Sequence, residues 1–316
     1  MLTKAELAVL DALLSGRKAT VIELKTATEY SKAHLYDVVD SLISEGLLVE
    51  HRGPNKQREI HITSHPVVEA YRTLHAELGH VEWADLLSPA TLRACWFLDE
   101  PRRVVEIADR LTVTRQSVHK GLDPLKNRAM LSPSGPEYAL HQDLSSLLSF
   151  AQAVIRHEYR SRARAVAPSA TVKWCDPSRA LVRVQTREDT EALIESFDWQ
   201  LTGLGRFEDY ELPFFLAGEP AFWYGPEESL SPAEMVCHTL TLDSGSRCVK
   251  YAMLLIEKLS IDQDKLTEIA GWYNLKSTIS AIYRWFEEDS DISGDIPIVL
   301  PSESEFTALK EQYGVT

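Results

Sequence analysis

The sequence predicts a mainly helical α+β chain. Two tandem modules of three helices and a hairpin, residues 1–87 and 88–168, precede a different α+β domain over residues 169–316. Three observations carry this. A shift of 83 positions lays residues 21–48 onto residues 104–131 without a gap. Apolar residues recur at helical spacing in both copies. The charge is divided: the net −14 splits into +1 over residues 1–175 (22 basic, 21 acidic) and −15 over residues 176–316 (11 basic, 26 acidic).

The first copy opens with "MLTKAELAVLDALL", whose lysine and acidic residues suit a domain helix better than a signal peptide. Thr3 is placed to cap a helix from Lys4, with Glu6 as its capping-box partner and Leu7, Leu10, Leu13 and Leu14 on one face. A short second helix runs from Val21 to Ala27. A tight turn then leads to a third, opening at Ser31, whose hydroxyl satisfies free N–H groups. Leu35, Val38, Val39 and Leu42 face the core, so Ser31, Lys32, Ala33, Tyr36 and Asp37 point outward. Gly46 ends the helix, and "LLVEHRGPNKQREIHIT" gives two strands around a turn carrying Arg52, Lys56 and Arg58.

In the second copy Ser88 caps and Pro89 takes the first helical position. Val104 to Leu111 form the second helix, and Thr114 caps a third that exposes Thr114, Arg115, Gln116, His119 and Lys120. Gly121 and Pro124 weaken that helix, and the hairpin "SPSGPE" has no basic residue. The repeat extends to Val21 over Val104, Leu24 over Ile107, Leu35 over Val118, Leu42 over Leu125, Glu23 over Glu106 and Asp40 over Asp123. Three helices and a hairpin make the winged helix-turn-helix arrangement, which lays its third helix in the major groove and its wing along phosphates.

The residues then resemble a family. "PRRVVEIADRLTVTRQSVHKGLDPLKNRAML" carries most of the likeness, and both copies look like winged-helix transcription regulators of the broad MarR and ArsR type, found in archaea and bacteria. That resemblance covers about half the chain and implies DNA as partner. The expected contacts are Ser31, Lys32, Tyr36, Arg52, Lys56 and Arg58 in the first copy, and Thr114, Arg115, Gln116, His119 and Lys120 in the second. Residues 101–175 hold 12 basic to 6 acidic residues, so the most cationic stretch coincides with the second copy.

After each hairpin comes an amphipathic helix. One is expected over residues 64–87, with Val67, Val68, Tyr71, Leu74 and Leu78 along one side; the other ends in Arg156, Arg160, Arg162 and Arg164. Such stripes either join two copies across a two-fold axis, giving a homodimer, or pack on their own domain. Beyond residue 169, "ALVRVQ" and "AFWYG" read as strands. "TREDTEALIESF", "SPAEMVCHTLTL", "SRCVKYAMLLIEKL", "DQDKLTEIAGWYN" and "KSTISAIYRWFEED" read as helices. The series "WQLTG", "FWYGPEESLSPAEMVCHTLTLD" and "KYAMLLIEK" is similar to the C-terminal region of archaeal winged-helix proteins related to AbiEi-class antitoxin regulators and nucleotidyltransferase-like domains.

Active nucleotide transfer needs a Gly-Ser turn followed closely by two carboxylates for Mg²⁺, yet the ten residues after Ser246 hold none. No phosphate loop, nucleophile elbow or metalloprotease helix occurs either, so no catalytic residue, no enzyme activity and no cofactor are expected. Cys237, His238 and Cys248 are read as core rather than a metal set, and "FEEDSDISGD" as a solvated connection. Four scattered cysteines and no apolar run of membrane length suggest a reducing, cytoplasmic setting away from membranes. The acidic excess, with 20 Arg to 13 Lys, also suits a salt-rich cytoplasm. The expected function is sequence-specific transcription regulation, with the acidic domain serving sensing, dimerisation or a protein partner, or holding a ligand among Trp199, Trp223 and Tyr224. The alternative is an antitoxin-like scaffold whose winged helices bind protein.

Overall fold

The computed structural model describes every residue except 17, 54–56, 214–218, 228, 288–297 and 316. Helix α1 (Lys4–Gly16) begins at the expected cap, with Glu6 N–H donating to Thr3 Oγ1 at 3.3 Å and Thr3 N–H to Glu6 Oε2 at 2.7 Å. Leu7, Leu10 and Leu13 are buried. A strand the pattern did not show, β1 (Lys18–Thr20), is three residues long, too short for alternation to register. It runs into α2 (Val21–Thr28), whose start is fixed by reciprocal bonds between Thr20 and Glu23. Glu29 turns the chain at φ 61°, and α3 (Lys32–Ser44) begins beneath Ser31, which accepts from His34 N–H at 3.3 Å. Leu35, Val38, Val39 and Leu42 are buried as the spacing requires.

Gly46 (φ 73°) releases the chain into the hairpin of β2 (Leu48–Arg52) and β3 (Arg58–Ile62), and β1 joins it in an antiparallel sheet of order β1-β3-β2. The single helix expected over residues 64–87 is two, α4 (Pro66–Glu77) and α5 (Trp83–Leu86). Leu78 leaves helical geometry at φ −132°, ψ 48°, and Gly79 lies where a Cβ would come within 2.9 Å of the His75 carbonyl.

The second copy repeats this order as α6 (Pro89–Cys95), β4 (Arg102–Arg103), α7 (Val104–Leu111), α8 (Arg115–Lys126), β5 (Leu131–Ser134) and β6 (Glu137–Leu140), with sheet order β4-β6-β5. Left-handed backbone recurs in register: Thr112 (φ 56°) and Ala129 (φ 55°) stand 83 residues after Glu29 and Gly46. The hairpin is tighter, with Ser134 paired to Glu137 around Gly135 at φ 64°. Gly121 does not break α8. It lets α8 cross α6, because a Cβ there would meet the Ala90 carbonyl oxygen at 2.9 Å. Pro124 is also accommodated within the helix.

A short 3₁₀ turn (Gln142–Leu144) leads into the long α9 (Ser145–Val166). Tyr71 of α4 meets Phe150 of α9 at 4.8 Å between rings, and Val67, Val68, Leu74, Leu147 and Val154 are buried. The stripes that sequence reading offers to a two-fold axis are therefore covered within one chain.

The described residues divide into two units, Met1–Ser161 with Asp176–Ser178, and Arg162–Cys175 with Arg179–Thr316, so both repeats belong to one unit and the division falls inside α9. In the second unit, β7 (Thr171–Cys175), β8 (Ala180–Arg183), α10 (Arg187–Glu195), β9 (Gln200–Thr202), a 3₁₀ segment (Gly203–Tyr210) and β10 (Ala221–Tyr224) precede the helices α11 (Pro232–Leu242), α12 (Ser246–Leu259), α13 (Gln263–Gly271), α14 (Lys276–Glu287) and α15 (Glu303–Tyr313). The antiparallel sheet has order β7-β8-β10-β9. Strand alternation sends Val182 and Phe222 into one core with Ala163, Leu193 and Trp199, and Leu181 and Trp223 into the other with Val236, Met253 and Ile282. Trp199 and Trp223 are therefore core residues.

Gly121 gives a test whose sign decides. Helix propensity alone makes Gly121→Ala stabilising by about 1 kcal/mol, whereas the backbone contact with Ala90 makes it destabilising by about 1–3 kcal/mol. A lowered midpoint in urea unfolding is expected.

Candidate nucleic-acid interface

Each third helix owes its start to a hydroxyl, and this limits what that hydroxyl can do elsewhere. Ser31 Oγ accepts from His34 N–H, and Thr114 Oγ1 accepts from Ser117 N–H at 3.2 Å while lying 2.9 Å from Ser117 Oγ. Ser31 and Thr114 thus serve first as caps.

In the first copy Lys32, His34, Tyr36 and Asp37 are exposed on α3, with Asp40 one turn on. The Tyr36 ring lies between two cations, Lys32 Nζ and Arg58 Cζ, each 5.8 Å from its centroid. Arg58 departs from its expected role. Its Nε donates to Glu50 at 2.8 Å and its Nη2 donates to Asp40, so its charge is matched twice within the module. A guanidinium held this way is a poor phosphate ligand, since a phosphate would have to displace a carboxylate. Arg52 is exposed on β2 directly across from Arg58, and Lys56 lies outside the described residues.

The second copy differs. Arg115, Gln116, His119 and Lys120 are all exposed on α8, and no hydrogen bond or ion pair holds any of them among the described residues. The helix ends at Lys126 and the turn after it carries Asn127 and Arg128, all three exposed and absent from the sequence-based set. The charge count over residues 101–175 is the signal that could have found them. Set against these cations is Asp123 alone on the exposed part of α8. Arg110 on α7 is spoken for, since its Nε donates to the fully buried Asp176 at 2.6 Å. The β5–β6 turn offers no basic residue, as expected.

At the far end of α3, Glu45 Oε2 lies 2.6 Å from His157 Nε2 on α9 and accepts from the Ser161 hydroxyl at 3.2 Å. The His157 ring meets that of His65 at 4.6 Å, and His65 Nδ1 accepts from Val67 N–H at the start of α4. Burial holds both imidazoles below their ordinary 6.5, outweighing the opposite pull of Glu45, with Arg160 adding to the depression.

In the second unit the side chains weighed as metal ligands, Cys237, His238 and Cys248, are buried. His238 is fully buried, with Nδ1 2.7 Å from Thr202 Oγ1 and Nε2 2.9 Å from the Tyr273 hydroxyl, so both ring nitrogens are engaged. Burial pushes the Cys237 thiol far up and that of Cys248 up to about 11. Among the described residues no three His, Cys, Asp or Glu side chains come together as metal ligands. Of the arginine run, Arg162 donates to the Tyr224 hydroxyl and lies 4.7 Å from its ring, while Arg164 donates to the Ala170 carbonyl at 3.3 Å. The acidic stretch 288–297 lies outside the described residues.

A protein-family model described as "HVO_2833_C, C-terminal" matches residues 196–315, from the end of α10 through α15. No curated protein matches the chain. Among the described residues no helix is long and apolar enough to cross a membrane.

The histidine pair makes stability depend on pH in a fixed direction. The unfolded chain takes up these protons near 6.5 and the folded one only below that, so the stabilisation is complete above 6.5 and is lost as pH falls toward the folded values. Denaturant titrations between pH 7.5 and pH 5 (about two units around the ordinary histidine value) are expected to show falling stability, with a shallower fall in His157→Gln.

Proposed function

We propose that the chain is a DNA-binding transcription regulator with two tandem winged helix-turn-helix modules, in which α8 is the principal reading helix and the acidic C-terminal unit serves regulation or assembly. One observation carries the proposal: α8 presents Arg115, Gln116, His119 and Lys120 exposed and uncommitted, extended by Lys126 and Arg128. The reading gains from the repeated order of elements and the repeated sheet order, which match a three-helix module with a hairpin wing. Arg115 and Lys120 suit guanine O6 and N7 or phosphate oxygens, and Gln116 suits adenine N6 and N7. The bare β5–β6 turn leaves backbone contacts in this copy to α8 itself.

The first copy supports a second reading. Its outward face mixes Lys32 with Asp37 and Asp40, and Arg58 is neutralised by Asp40 and Glu50. A face so balanced suits a protein partner better than a polyanion, and the module then acts as a scaffold in the manner of the antitoxin-like alternative. Cytoplasmic residence and the absence of enzymatic activity belong to this proposal too.

Binding of the full chain to its own upstream DNA and to a scrambled duplex, each at several salt concentrations, separates the readings. If α8 reads DNA, Arg115→Ala is expected to cost about 1–3 kcal/mol on the specific duplex where it meets a guanine. Lys120→Ala is expected to lower the slope of log K against log salt by about 0.9 where it meets a phosphate. Arg58→Leu should lower stability and leave both slopes unchanged. Affinity indifferent to salt and to the α8 substitutions would sink the DNA reading.

A further inference from the structure

We propose that copies of this chain associate head to tail, with Phe197 of one copy seated in an apolar cleft beside α8 of the next. Two surfaces lead to this, each within its own unit. The first is a knob in the second unit. Phe197, just beyond α10, is fully exposed, and Ile194 one turn earlier is 61% exposed. Together they make an exposed apolar patch with polar neighbours, the kind of surface that marks an interaction site. Asp198, Glu208 and Asp209 share the depression that Phe197 borders. Asp209 is paired with Arg206 and Glu191 with Arg187, whereas Asp198, Glu208 and Glu195 are exposed with no ion pair among the described residues. The knob is an apolar tip in an acidic collar.

The second surface is a hole in the first unit. Pro89, Ala90 and Ala94 of α6, Leu111 at the end of α7, Val113 after it, and Val118 of α8 line a cleft of about 440 Å³, within the range of about 300–1,000 Å³ of small-molecule pockets and roomy enough for a phenyl ring. Small side chains on α6 make the space, and Val113 at the mouth is 45% exposed. Ser117, Arg93, Glu158 and the Met1 ammonium supply the cleft's polar lining, with Glu158 3.5 Å from Arg93 and 3.9 Å from the ammonium, so two cations share one carboxylate. Beside the cleft the unpaired charges of α8, Arg115 and Lys120, are basic.

Knob and hole complement each other in shape and in charge: an aromatic tip with free carboxylates against an apolar cleft beside free cations. Because both lie on one chain, a second copy supplies the fit without any further component. The contact uses different surfaces on its two sides, so copies either satisfy both contacts reciprocally as a pair, close into a larger ring, or extend. The collar covers part of α8, so association and DNA binding compete. That consequence rests on the reading proposed above, but the contact itself does not.

Sedimentation of the purified full chain without DNA, across a concentration series at low and high salt, tests the contact. The expected result is an average mass that rises with concentration and falls with salt. Phe197→Asp and Val113→Glu should each raise the concentration for half-association by about tenfold or more, as loss of a central anchor does. Both residues are largely exposed, so unchanged circular dichroism and thermal midpoints confirm that each variant folds. The decisive step is to mix the two variants. One retains its hole and the other its knob, so the mixture should form a dimer and nothing larger. A wild-type chain that stays monomeric, a mixture that stays monomeric, or a Phe197→Asp chain that associates like the wild type would overturn the proposal. Adding a short duplex should return the wild type toward monomer; if it does not while the mixing result holds, the DNA reading fails and the contact stands.

Discussion

The architecture of the first unit depends on one backbone constraint that occurs twice, a single left-handed residue between the second and third helices of each repeat. Glu29 and Thr112 hold φ 61° and 56° at positions 83 apart. For a residue with a Cβ that conformation costs about 1–2 kcal/mol, so each persists because the neighbouring packing demands it. The turn swings α3 and α8 back so that Leu35, Val39 and Leu42, or Val118, Leu122 and Leu125, meet the first two helices. The same swing leaves the opposite face of each third helix in solvent. What those helices offer to a partner is therefore set by a turn that has no special residue type to announce it.

Much of this was legible because capping chemistry is local. Thr3, Ser31, Ser88 and Thr114 sit within three residues of the N–H groups they serve, and the hydrophobic spacing follows directly from helix geometry. The short strands were not legible. β1, β4 and β9 have two or three residues each, below the length at which alternation differs from chance, and they exist because an existing hairpin or sheet edge recruits them. The break between α4 and α5 was hidden for a related reason: the apolar pattern continues through it, with Leu78 and Val81 both fitting a helical stripe.

The candidate site was legible in residue type and illegible in commitment. Arg58 looked like a free wing cation. Its partners Asp40 and Glu50 lie 18 and 8 residues away, and only the folded hairpin brings both within reach. Arg115, Gln116, His119 and Lys120 looked the same in sequence and remain uncommitted, because Asp123 is the lone carboxylate among the exposed side chains of α8. A charge is useful to a ligand only to the extent that the fold has not already neutralised it. By that criterion the two copies, alike in backbone, have diverged in what they present.

That divergence gives the charge asymmetry of the chain a physical meaning. The second unit carries a net −11 (14 basic, 25 acidic) against −3 for the first (19 basic, 22 acidic), so a polyanion is repelled more strongly by the second unit than by the first. The same excess attracts the uncommitted cations of α8 on another copy, where they lie unscreened at low salt. On the two proposals made above, an external polyanion and the acidic unit of a neighbouring copy would draw on the same few side chains. Since Coulombic attraction alone would make that contest indiscriminate, its specificity has to come from features salt does not screen. On one side these are base edges that Gln116 and Arg115 can read. On the other they are the fit of Phe197 to the cleft beside Val113 and Val118, which depends on apolar area and so persists as ionic strength rises. On both proposals, increasing salt weakens each occupant of α8 and weakens the polyanion more, because its contacts are the more purely Coulombic.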